Sequence, residues 1–515
     1  MRSFNFLRNA FVSILYELII IGFGLIVPRL IIDAYGSEVN GLASTINNVL
    51  HILTLLQAGA AGASIFQMFK PVAEKDYAKI SIIMDSSRRY FCLIGSIFIV
   101  LVFAVSPVFG LVTKSETVSF TEKLIAFLIL AANGSLYIFF VSYFDVLFSS
   151  HQKRFILSIA GIIDKIVYYG LIILIVLLKL DFMLMYVVAL LATSVRILLL
   201  YLVYKKTYKP LIKRVSKSIR FKIPNKGYLL CTQISMQLIT SVPTIILSMA
   251  SGLAVASVFA VYYLVYNTIR MFINIIQLSV NEVFGNFVVI KNDEEVEKTF
   301  SLLDFVFAGV GVILIGCVAF LYQPFIYVYT DFNNLDYNYM YPLLSFVVAG
   351  LLIFSTVNHS YSTLVNVKGY YKETYVQNLV FACIGTVLSI GLMFVEWPLV
   401  VIGPAFYYVG IYVYNMYICK RKIAWVKISA SIRRLIALLT ITVGAFVASH
   451  FIFPQGIVAG WGTWILYALL CVVAIIAVLA IYVLIFERRE IKGIWSYIKT
   501  LLAKLKGKKK VKEQV

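Results

Sequence analysis

Long apolar runs, separated by short polar segments, repeat along the whole sequence. A helix needs about 20 mainly apolar residues to cross the hydrocarbon core of a bilayer. The pattern therefore predicts an all-α polytopic membrane protein with about 14 transmembrane helices. In the first half of the chain the predicted spans are 9–32, 40–66, 90–112, 124–148, 156–178 and 183–204. In the second half they are 228–250, 255–289, 301–322, 342–366, 375–395 and 398–419, followed by an appended pair at 435–453 and 462–486.

Two pairs of matching segments indicate an internal repeat. VPRLIIDAYGSEVNGLAST begins at Val27 and VPTIILSMASGLAVASVFA begins at Val242, an offset of 215 residues. LFSSHQKRF begins at Leu147 and LVNVKGYYK begins at Leu364, an offset of 217 residues. Because both pairs have nearly the same offset, we expect two six-helix lobes related by a pseudo-two-fold repeat.

The repeat also predicts how the chain is divided into domains. Residues 1–204 form the N-terminal six-helix lobe and residues 227–419 the C-terminal one. They are joined by a cytoplasmic linker, 205–226, that holds nine basic residues and no acid. Residues 420–486 contain a basic loop and the two appended helices, and residues 487–515 form a basic cytoplasmic tail. Such basic segments are typical of surfaces that lie against anionic lipid.

Composition agrees with a membrane protein and excludes a soluble one. Of the 515 residues 61% are hydrophobic and only 13% charged, and the mean hydropathy is +0.93. The formal charge of +21 could suggest nucleic acid, but the basic residues lie between apolar runs and not on one soluble face. The six cysteines also fall in apolar segments, without a Cys-x-x-Cys pair, and we interpret them as small hydrophobic residues.

The distribution of Lys and Arg predicts the orientation. With the N-terminus placed inside, the inner segments hold 38 basic residues. The outer loops hold three, namely Lys114, Lys123 and Lys179. This bias indicates that both termini are cytoplasmic. The remaining four basic residues lie within apolar runs: Arg29, Lys165, Arg196 and Arg270.

The turn between the first two spans resembles a known family. The pattern P-x7-G-S-E-V-N-G-L, from Pro28 to Leu42, is similar to that of the polysaccharide-biosynthesis flippases of the multidrug/oligosaccharidyl-lipid/polysaccharide exporter superfamily. The short basic turns after spans four and ten and the 14-span layout with its basic middle loop are also similar. The chain departs from the family at Asp33, where these proteins often have a basic residue just before the turn glycine.

The resemblance implies a function and a set of partners. It implies a flippase in the bacterial cytoplasmic membrane that exports an oligosaccharide linked to undecaprenyl pyrophosphate, by alternating access of two lobes, for capsule, O-antigen or exopolysaccharide assembly. Membrane lipids, a counter-ion such as H+ or Na+, a polysaccharide polymerase and glycosyltransferases are the further partners that it suggests. No cofactor is expected.

Charged residues inside the spans are candidates for function. A charge at the centre of a spanning helix costs roughly 2.5–3.5 kcal/mol on insertion scales, so it normally faces a partner or a water-filled cavity. We expect Asp164 and Arg196 to form a structural ion pair, with Lys165 nearby. Arg270 is expected to bind substrate pyrophosphate through two parallel hydrogen bonds, with Glu17 as its counter-charge when no substrate is bound; a permanent Glu17–Arg270 pair is the alternative.

Polar faces on two spans give further candidates. Asn47, His51, Thr54 and Gln57 share one side of span two, and Asn267, Arg270, Asn274 and Gln277 share one side of span eight. We interpret these matched faces as the lining of one central cavity, and interhelical hydrogen bonding is the alternative. The alternatives are snorkelling to the membrane surface for Arg29, a position among the lipid head groups for Asp145 and a packing role for His359. The full set of predicted substrate-binding residues is Arg270, Glu17, His51, Gln57, Asn267, Asn274, Arg29, Asp145 and His359.

Two other functions remain open at this point. A multidrug cation antiporter would have the same fold, but its cavity should favour acids, whereas the candidates here include arginine and tyrosine. A membrane polysaccharide polymerase or ligase tends to have a large basic outer loop, and the outer loops here are short and nearly free of Lys and Arg. No spacing of metal ligands, phosphate-binding loop or nucleophile motif occurs in the sequence, so we expect neither a metal site nor an enzyme.

Overall fold

The structure, a computed structural model, describes residues 2–212, 226–290, 292–330, 335–423, 425, 426, 428–453 and 458–488. Within these residues the chain is helical and has no strand. The α-helices are α1 (Arg2–Tyr35), α2 (Ser37–Glu74), α3 (Tyr77–Val112), α4 (Phe120–Leu136), α5 (Ser142–Ser150), α6 (Arg154–Leu177), α7 (Met183–Thr207), α8 (Lys226–Ala250), α9 (Leu253–Ile290), α10 (Asp293–Tyr329), α11 (Pro342–Val367), α12 (Tyr371–Met393), α13 (Ile402–Lys422), α14 (Ile428–Ile452) and α15 (Trp461–Phe486).

Two short irregular turns interrupt this order. A π-helical turn, Tyr137–Val141, joins α4 to α5 within one membrane-spanning segment, and a 3-10 turn, Trp397–Val401, precedes α13. After the π turn, the Ser142 hydroxyl donates to the Tyr137 carbonyl at 3.2 Å and to Gln57 Oε1 at 2.9 Å. The Tyr137 carbonyl already accepts the Ser142 backbone N–H across the π turn, so the one hydroxyl proton of Ser142 is shared between this carbonyl and the Gln57 amide oxygen.

The predicted all-α membrane fold is confirmed. Thirteen helical segments of the described residues are long and apolar enough to cross a membrane. Several helices extend beyond their predicted spans: α10 begins at Asp293, eight residues before the apolar run at 301, and α2 continues to Glu74. The side chain of Asn292, the residue before α10, accepts a hydrogen bond from the Glu295 backbone N–H. Three acidic residues then occupy the first turn of the helix. These residues favour a helix start and are too polar to be counted as part of a span.

The repeat proposed from the sequence is visible in the turns. Gly36, between α1 and α2, has a φ of 86°, and Gly252, between α8 and α9, has a φ of 99°. In the second pair of segments Gln152 has a φ of 57° and Gly369 a φ of 78°. Each pair thus has a positive φ at matching positions, where glycine is favoured because a Cβ would be strained.

The two glycine turns of the first pair lie beside each other. Helix α2 packs along α8, and a Cβ added to Gly41 would lie 1.9 Å from the Leu253 carbonyl oxygen. One residue earlier, Asn40 Nδ2 donates to the Ser257 hydroxyl at 2.7 Å, and both side chains are buried. The small residues of the first turn therefore allow the two backbones to approach closely.

The chain forms two compact units. Unit 1 contains residues Met1–Leu264, Leu335–Asn338 and Asn378–Val400, and unit 2 contains the rest, beginning at Val265. The boundary after Leu264 falls inside α9, so α8 and the start of α9 pack with the helices of the first half. In unit 2 the appended helices α14 and α15 pack against α10.

Unit 1 has a basic end, defined here as the end at which α2 joins α3, α5 joins α6, and α7 terminates. Lys75, Lys153 and Lys205 lie there. Two clusters of buried apolar side chains fill this unit along the helices, one around Phe98 and Phe127 and another around Phe91 and Phe148. The second cluster supports the helices near the basic end.

Candidate functional site

Arg270 lies midway along α9, in unit 2, among tyrosines. Its guanidinium carbon is 5.6 Å from the ring centroid of Tyr408 and 5.9 Å from that of Tyr266. Nη1 also donates a long hydrogen bond, 3.5 Å, to the Tyr266 hydroxyl one helical turn earlier. Both tyrosines are buried. Aromatic faces attract a cation without neutralising its charge, so this surrounding keeps the guanidinium positive.

His359 of α11 belongs to the same part of unit 2. It lies close enough to Arg270 for the two groups to interact electrostatically, and its ring is 5.7 Å from that of Phe307. Its Nε2 is buried without a hydrogen-bond partner among the described residues. A charged imidazolium would be costly in such a position, so His359 is best suited to accept or donate a hydrogen bond as a neutral ring.

The other polar residues predicted on α9 differ in exposure. Asn267 is exposed, whereas Asn274 and Gln277 are half-buried. With Arg270 they occupy one side of the helix, as their spacing predicts. The structure therefore brings Arg270 and His359 together, with Asn267 and Asn274 on the same helix face as the arginine.

The candidates on α1 and α2 belong to unit 1. Glu17 is half-buried and lies within electrostatic range of Arg154. His51 is exposed, and Gln57 accepts a hydrogen bond from the Ser142 hydroxyl. This contact joins neighbouring helices, which is the interhelical hydrogen bonding given above as the alternative to a cavity lining. The Glu17–Arg270 pairing stays a prediction.

Arg29 and Asp145 have local partners in the structure. Arg29 Nη1 is 3.0 Å from Asp33 Oδ1 on the next turn of α1. Asp33 is the position at which the flippases that this chain resembles often have a basic residue. Here its carboxylate faces Arg29 of the same helix. Asp145 Oδ1 accepts a hydrogen bond of 3.0 Å from Ser149, also on its own helix. A role for either residue in transport stays a prediction.

Asp164 and Arg196 lie near each other on adjacent helices. Arg196 Nη1 is 4.0 Å from Asp164 Oδ2, and Lys165 Nζ is 3.5 Å from the same oxygen. Asp164 is buried, and the Arg196 guanidinium also lies 5.6 Å from the Tyr137 ring at the π turn. The geometry is that of a charge cluster inside unit 1 with two cations near one acid.

A second buried charge cluster, in unit 2, was missed by the sequence reasoning. Arg434 of α14 donates from Nη1 to Asp304 Oδ2 at 3.0 Å, and from Nη2 to Glu487 Oε2 at 2.9 Å. Its Nε also donates to Glu487 Oε1 at 3.2 Å, so the guanidinium holds that carboxylate through two hydrogen bonds. The three side chains are almost completely buried.

Neighbouring hydroxyls complete this cluster. Ser360 donates to Asp304 Oδ1 at 2.7 Å, and Ser431 donates to Asp304 Oδ2 at 2.8 Å. The Tyr361 hydroxyl in turn donates to Ser431. The network joins α10, α11, α14 and the residue after α15, so it fixes the appended helix pair to the rest of unit 2. Asp304 was the one sequence signal for a buried charge cluster here, because it is a lone acid inside a predicted span. Its charged partners could not be recognised, because Arg434 lay in a segment interpreted as a loop and Glu487 in one interpreted as a tail.

Glu487 follows α15 directly, outside the spanning segment. Burial opposes its charge, but the hydrogen bonds from Arg434 and Arg433 outweigh that effect and hold the pKa of this carboxyl below its usual value. Arg433 contributes from the surface, with Nη2 at 2.7 Å from Oε1 and its own side chain 45% exposed. The Glu487 carboxyl is therefore ionised at neutral pH.

Comparison with known proteins identifies the fold. No protein-family model matches the chain, and no curated protein has a matching sequence. Among solved structures, the lipid II flippase MurJ in an inward closed conformation has a TM-score of 0.65 at 15% identity, covering 92% of this chain and 98% of MurJ. An inward-facing multidrug resistance MATE family transporter of the MOP superfamily has a TM-score of 0.60 at 15% identity, covering 84% of this chain and 99% of the transporter.

A third similar structure is a MOP superfamily transporter from Pyrococcus furiosus, with a TM-score of 0.51 at 13% identity, covering 86% of this chain and 96% of that one. The chain therefore has the two-lobed, all-helical fold of the MOP transporters. This is the fold of the superfamily predicted from the motif at Pro28–Leu42. The similar structures are of transporters, and at these identities they establish the fold alone.

Proposed function

We propose that this protein is a flippase that exports a lipid-linked oligosaccharide, carried on undecaprenyl pyrophosphate, across the bacterial cytoplasmic membrane by alternating access. The single observation that carries the proposal is the setting of Arg270. A guanidinium deep in an apolar helix, held between the faces of Tyr266 and Tyr408, offers a positive, fork-shaped donor in a place where a cation is costly.

A pyrophosphate group matches this setting better than a cationic drug does. Two of its oxygens can accept parallel hydrogen bonds from one guanidinium, and its negative charge offsets the cost of the half-buried cation. The buried tyrosines add hydroxyls and ring faces that suit sugars. His359, whose Nε2 is buried near Arg270, would add one neutral hydrogen-bonding group. We propose that Asn267, Asn274, His51 and Gln57 contact the remaining polar part of the substrate.

Charge compensation also enters the proposal. Glu17 would balance Arg270 when no substrate is bound, and the pyrophosphate would then replace it. Glu17, Asp145 and His359 are the proposed carriers if export is coupled to H+ or Na+. Arg29 would be a further contact for the anionic substrate near the outer end of α1. Since transport changes no covalent bond, the proposed protein is not an enzyme.

The substitution Arg270→Lys tests the role of the guanidinium. Lysine keeps the charge but loses the two parallel donors, so we expect export to fall at least about tenfold, the effect of roughly 1.4 kcal/mol, while folded protein persists. The measurement is the amount of lipid-linked repeat unit left on the inner leaflet, in a strain whose own copy of the gene is deleted and replaced by the variant.

A matched control is available within the same unit. Arg421 of α13 also donates to a tyrosine one turn earlier, from Nη1 to the Tyr417 hydroxyl at 3.3 Å, but it is exposed. Arg421→Lys should therefore export normally. If Arg270→Lys exports as well as this control does, the guanidinium is not needed and its proposed role is wrong.

The same strain separates the three candidate functions. A flippase predicts repeat units that accumulate on the inner leaflet after deletion of the gene. Repeat units that reach the outer leaflet but stay unpolymerised would indicate a polymerase instead. Normal polysaccharide combined with increased sensitivity to cationic drugs would indicate a multidrug antiporter, the alternative that the likeness to the MATE transporter supports.

A further inference from the structure

A cavity of about 720 Å³ opens at the basic end of unit 1. Its walls come from the first turns of α3, from the π turn and the start of α5, and from the last turn of α7 with the residues after it. None of the residues proposed above to contact the transported substrate lines it. The cavity is therefore a separate feature of this unit.

Two exposed cations line the cavity. Arg88 lies on α3, and Lys209 follows the end of α7. The acid in the wall, Asp85, forms an ion pair with Arg89 on the next turn of its own helix. Among the described residues no ion pair joins Arg88 or Lys209 to an acid. The cavity consequently has a net positive charge.

The rest of the wall is aromatic. The ring of Tyr143 lies 5.6 Å from that of Phe144 and 6.0 Å from that of Tyr204. Tyr201 and Phe140, at the rim, are 41% and 47% exposed. Tyrosine side chains with an apolar ring and a polar hydroxyl are enriched where a membrane meets water. The wall thus offers apolar surface next to the two cations.

The length of α3 indicates the depth of the cavity. The helix has 36 residues and is thus about 54 Å long at 1.5 Å per residue, whereas the hydrocarbon core of a bilayer is about 30 Å thick. The apolar part of α3 begins near residue 90, so the excess length lies at the basic end. Arg88 therefore lies at the level of the lipid head groups.

We propose that this cavity binds the phosphodiester head group of an anionic phospholipid from the surrounding leaflet. Arg88 and Lys209 bind the phosphate, because basic pockets between helices at the cytoplasmic surface suit such head groups. The exposed rings of Tyr201 and Phe140 contact the start of the acyl chains. A zwitterionic lipid fits less well, since the carboxylate that could bind its ammonium group, Asp85, is already paired with Arg89.

The first test measures affinity. The full-length protein in dodecyl maltoside is titrated with phosphatidylglycerol, phosphatidylcholine and soluble glycerol phosphate, and bound lipid is counted by native mass spectrometry. We expect phosphatidylglycerol to bind most tightly. The double variant Arg88→Gln/Lys209→Gln should weaken its binding about 30-fold, since each cation near a membrane surface contributes roughly fivefold.

The control removes the same charge elsewhere. Lys420→Gln/Arg421→Gln neutralises two cations at the end of α13 in unit 2, and its affinity for phosphatidylglycerol should equal that of the unchanged protein. Equal weakening by both double variants would show that only total charge matters, which would overturn the proposal. Equal binding of phosphatidylcholine would overturn the anionic preference, and equal binding of glycerol phosphate would show that the ligand is a soluble anion and not a lipid.

Cys92 provides a readout inside the cavity. It lines the wall and is exposed. In a protein whose other five cysteines are replaced by serine, we expect saturating phosphatidylglycerol to slow the reaction of Cys92 with N-ethylmaleimide at least about fivefold, a protection that corresponds to roughly 1 kcal/mol. The Arg88→Gln/Lys209→Gln variant should lose this protection at the same lipid concentration. Unchanged reactivity of Cys92 in the presence of bound lipid would place the lipid elsewhere and overturn the proposal.

Discussion

Removal of the Arg434 charge should strongly destabilise unit 2. The arginine is 3% exposed and makes hydrogen bonds of 3.0 Å to Asp304 and of 2.9 and 3.2 Å to Glu487. Arg434→Met keeps an apolar side chain of similar length but leaves the buried Asp304 carboxylate without its cation, and leaves Glu487 with the exposed Arg433 alone. Loss of one partner from a buried pair typically costs about 3–5 kcal/mol, and we expect at least that loss here.

The free energy of unfolding can be measured by titrating the protein in dodecyl maltoside with sodium dodecyl sulfate, with far-UV circular dichroism as the signal. Arg433→Met is the matched control. It removes a neighbouring arginine that also contacts Glu487 but is 45% exposed, so it should cost at most about 1 kcal/mol.

A compensating variant separates charge from packing. Arg434→Met combined with Asp304→Asn and Glu487→Gln removes all three charges of the cluster, and neutral replacements of buried ion pairs are often tolerated. This triple variant should recover most of the stability that Arg434→Met loses. If Arg434→Met costs no more than Arg433→Met, or if the triple variant is no more stable than the single one, the cluster does not stabilise the unit through its charges.

Two further predictions concern other parts of the chain. Gly41→Ala should prevent accumulation of folded protein, because its Cβ would lie 1.9 Å from the Leu253 carbonyl oxygen. The control Gly24→Ala, whose Cβ would have no atom within 4 Å, should leave the amount of folded protein unchanged. Size-exclusion chromatography of fluorescent fusions measures the amount of folded protein for both variants. Because the pKa of Glu487 is lowered, its stabilising charge is present at neutral pH and should be lost as the pH falls below the usual glutamate value of about 4.3. Thermal unfolding between pH 7 and pH 3.5 should show this loss, and Glu487→Gln should remove that part of the pH dependence; the same slope in both proteins would contradict it.

Much of the fold could be predicted from the sequence, because membrane spans are encoded locally. Any 20-residue apolar run must satisfy its own backbone hydrogen bonds in lipid, and a helix does this within the run itself. The turns at Gly36 and Gly252 were recognisable for the same reason, since a positive φ favours glycine whatever lies around it. Both features depend on a few consecutive residues.

The candidate site was predicted less completely. The spacing of Arg270 from Asn267 and Asn274 correctly indicated one helix face. The aromatic setting of Arg270 was not predictable, because Tyr408 belongs to α13, more than 130 residues later. Likewise, the polar face of α2 could be seen in the sequence, but the hydrogen bond from Ser142 to Gln57 depends on the neighbouring π turn.

Hydropathy by itself determined the helical type and the approximate positions of the spans, and the repeat offsets indicated two related halves. Only the tertiary structure decided which charges meet. Arg434 and Glu487 belong to a loop and a tail by hydropathy, yet helix packing buries them with Asp304. A buried charge is tolerated only with a partner close by. Distances in space decide which residue is that partner, and residues 53 or 130 positions apart carry no local sequence signal that they will meet.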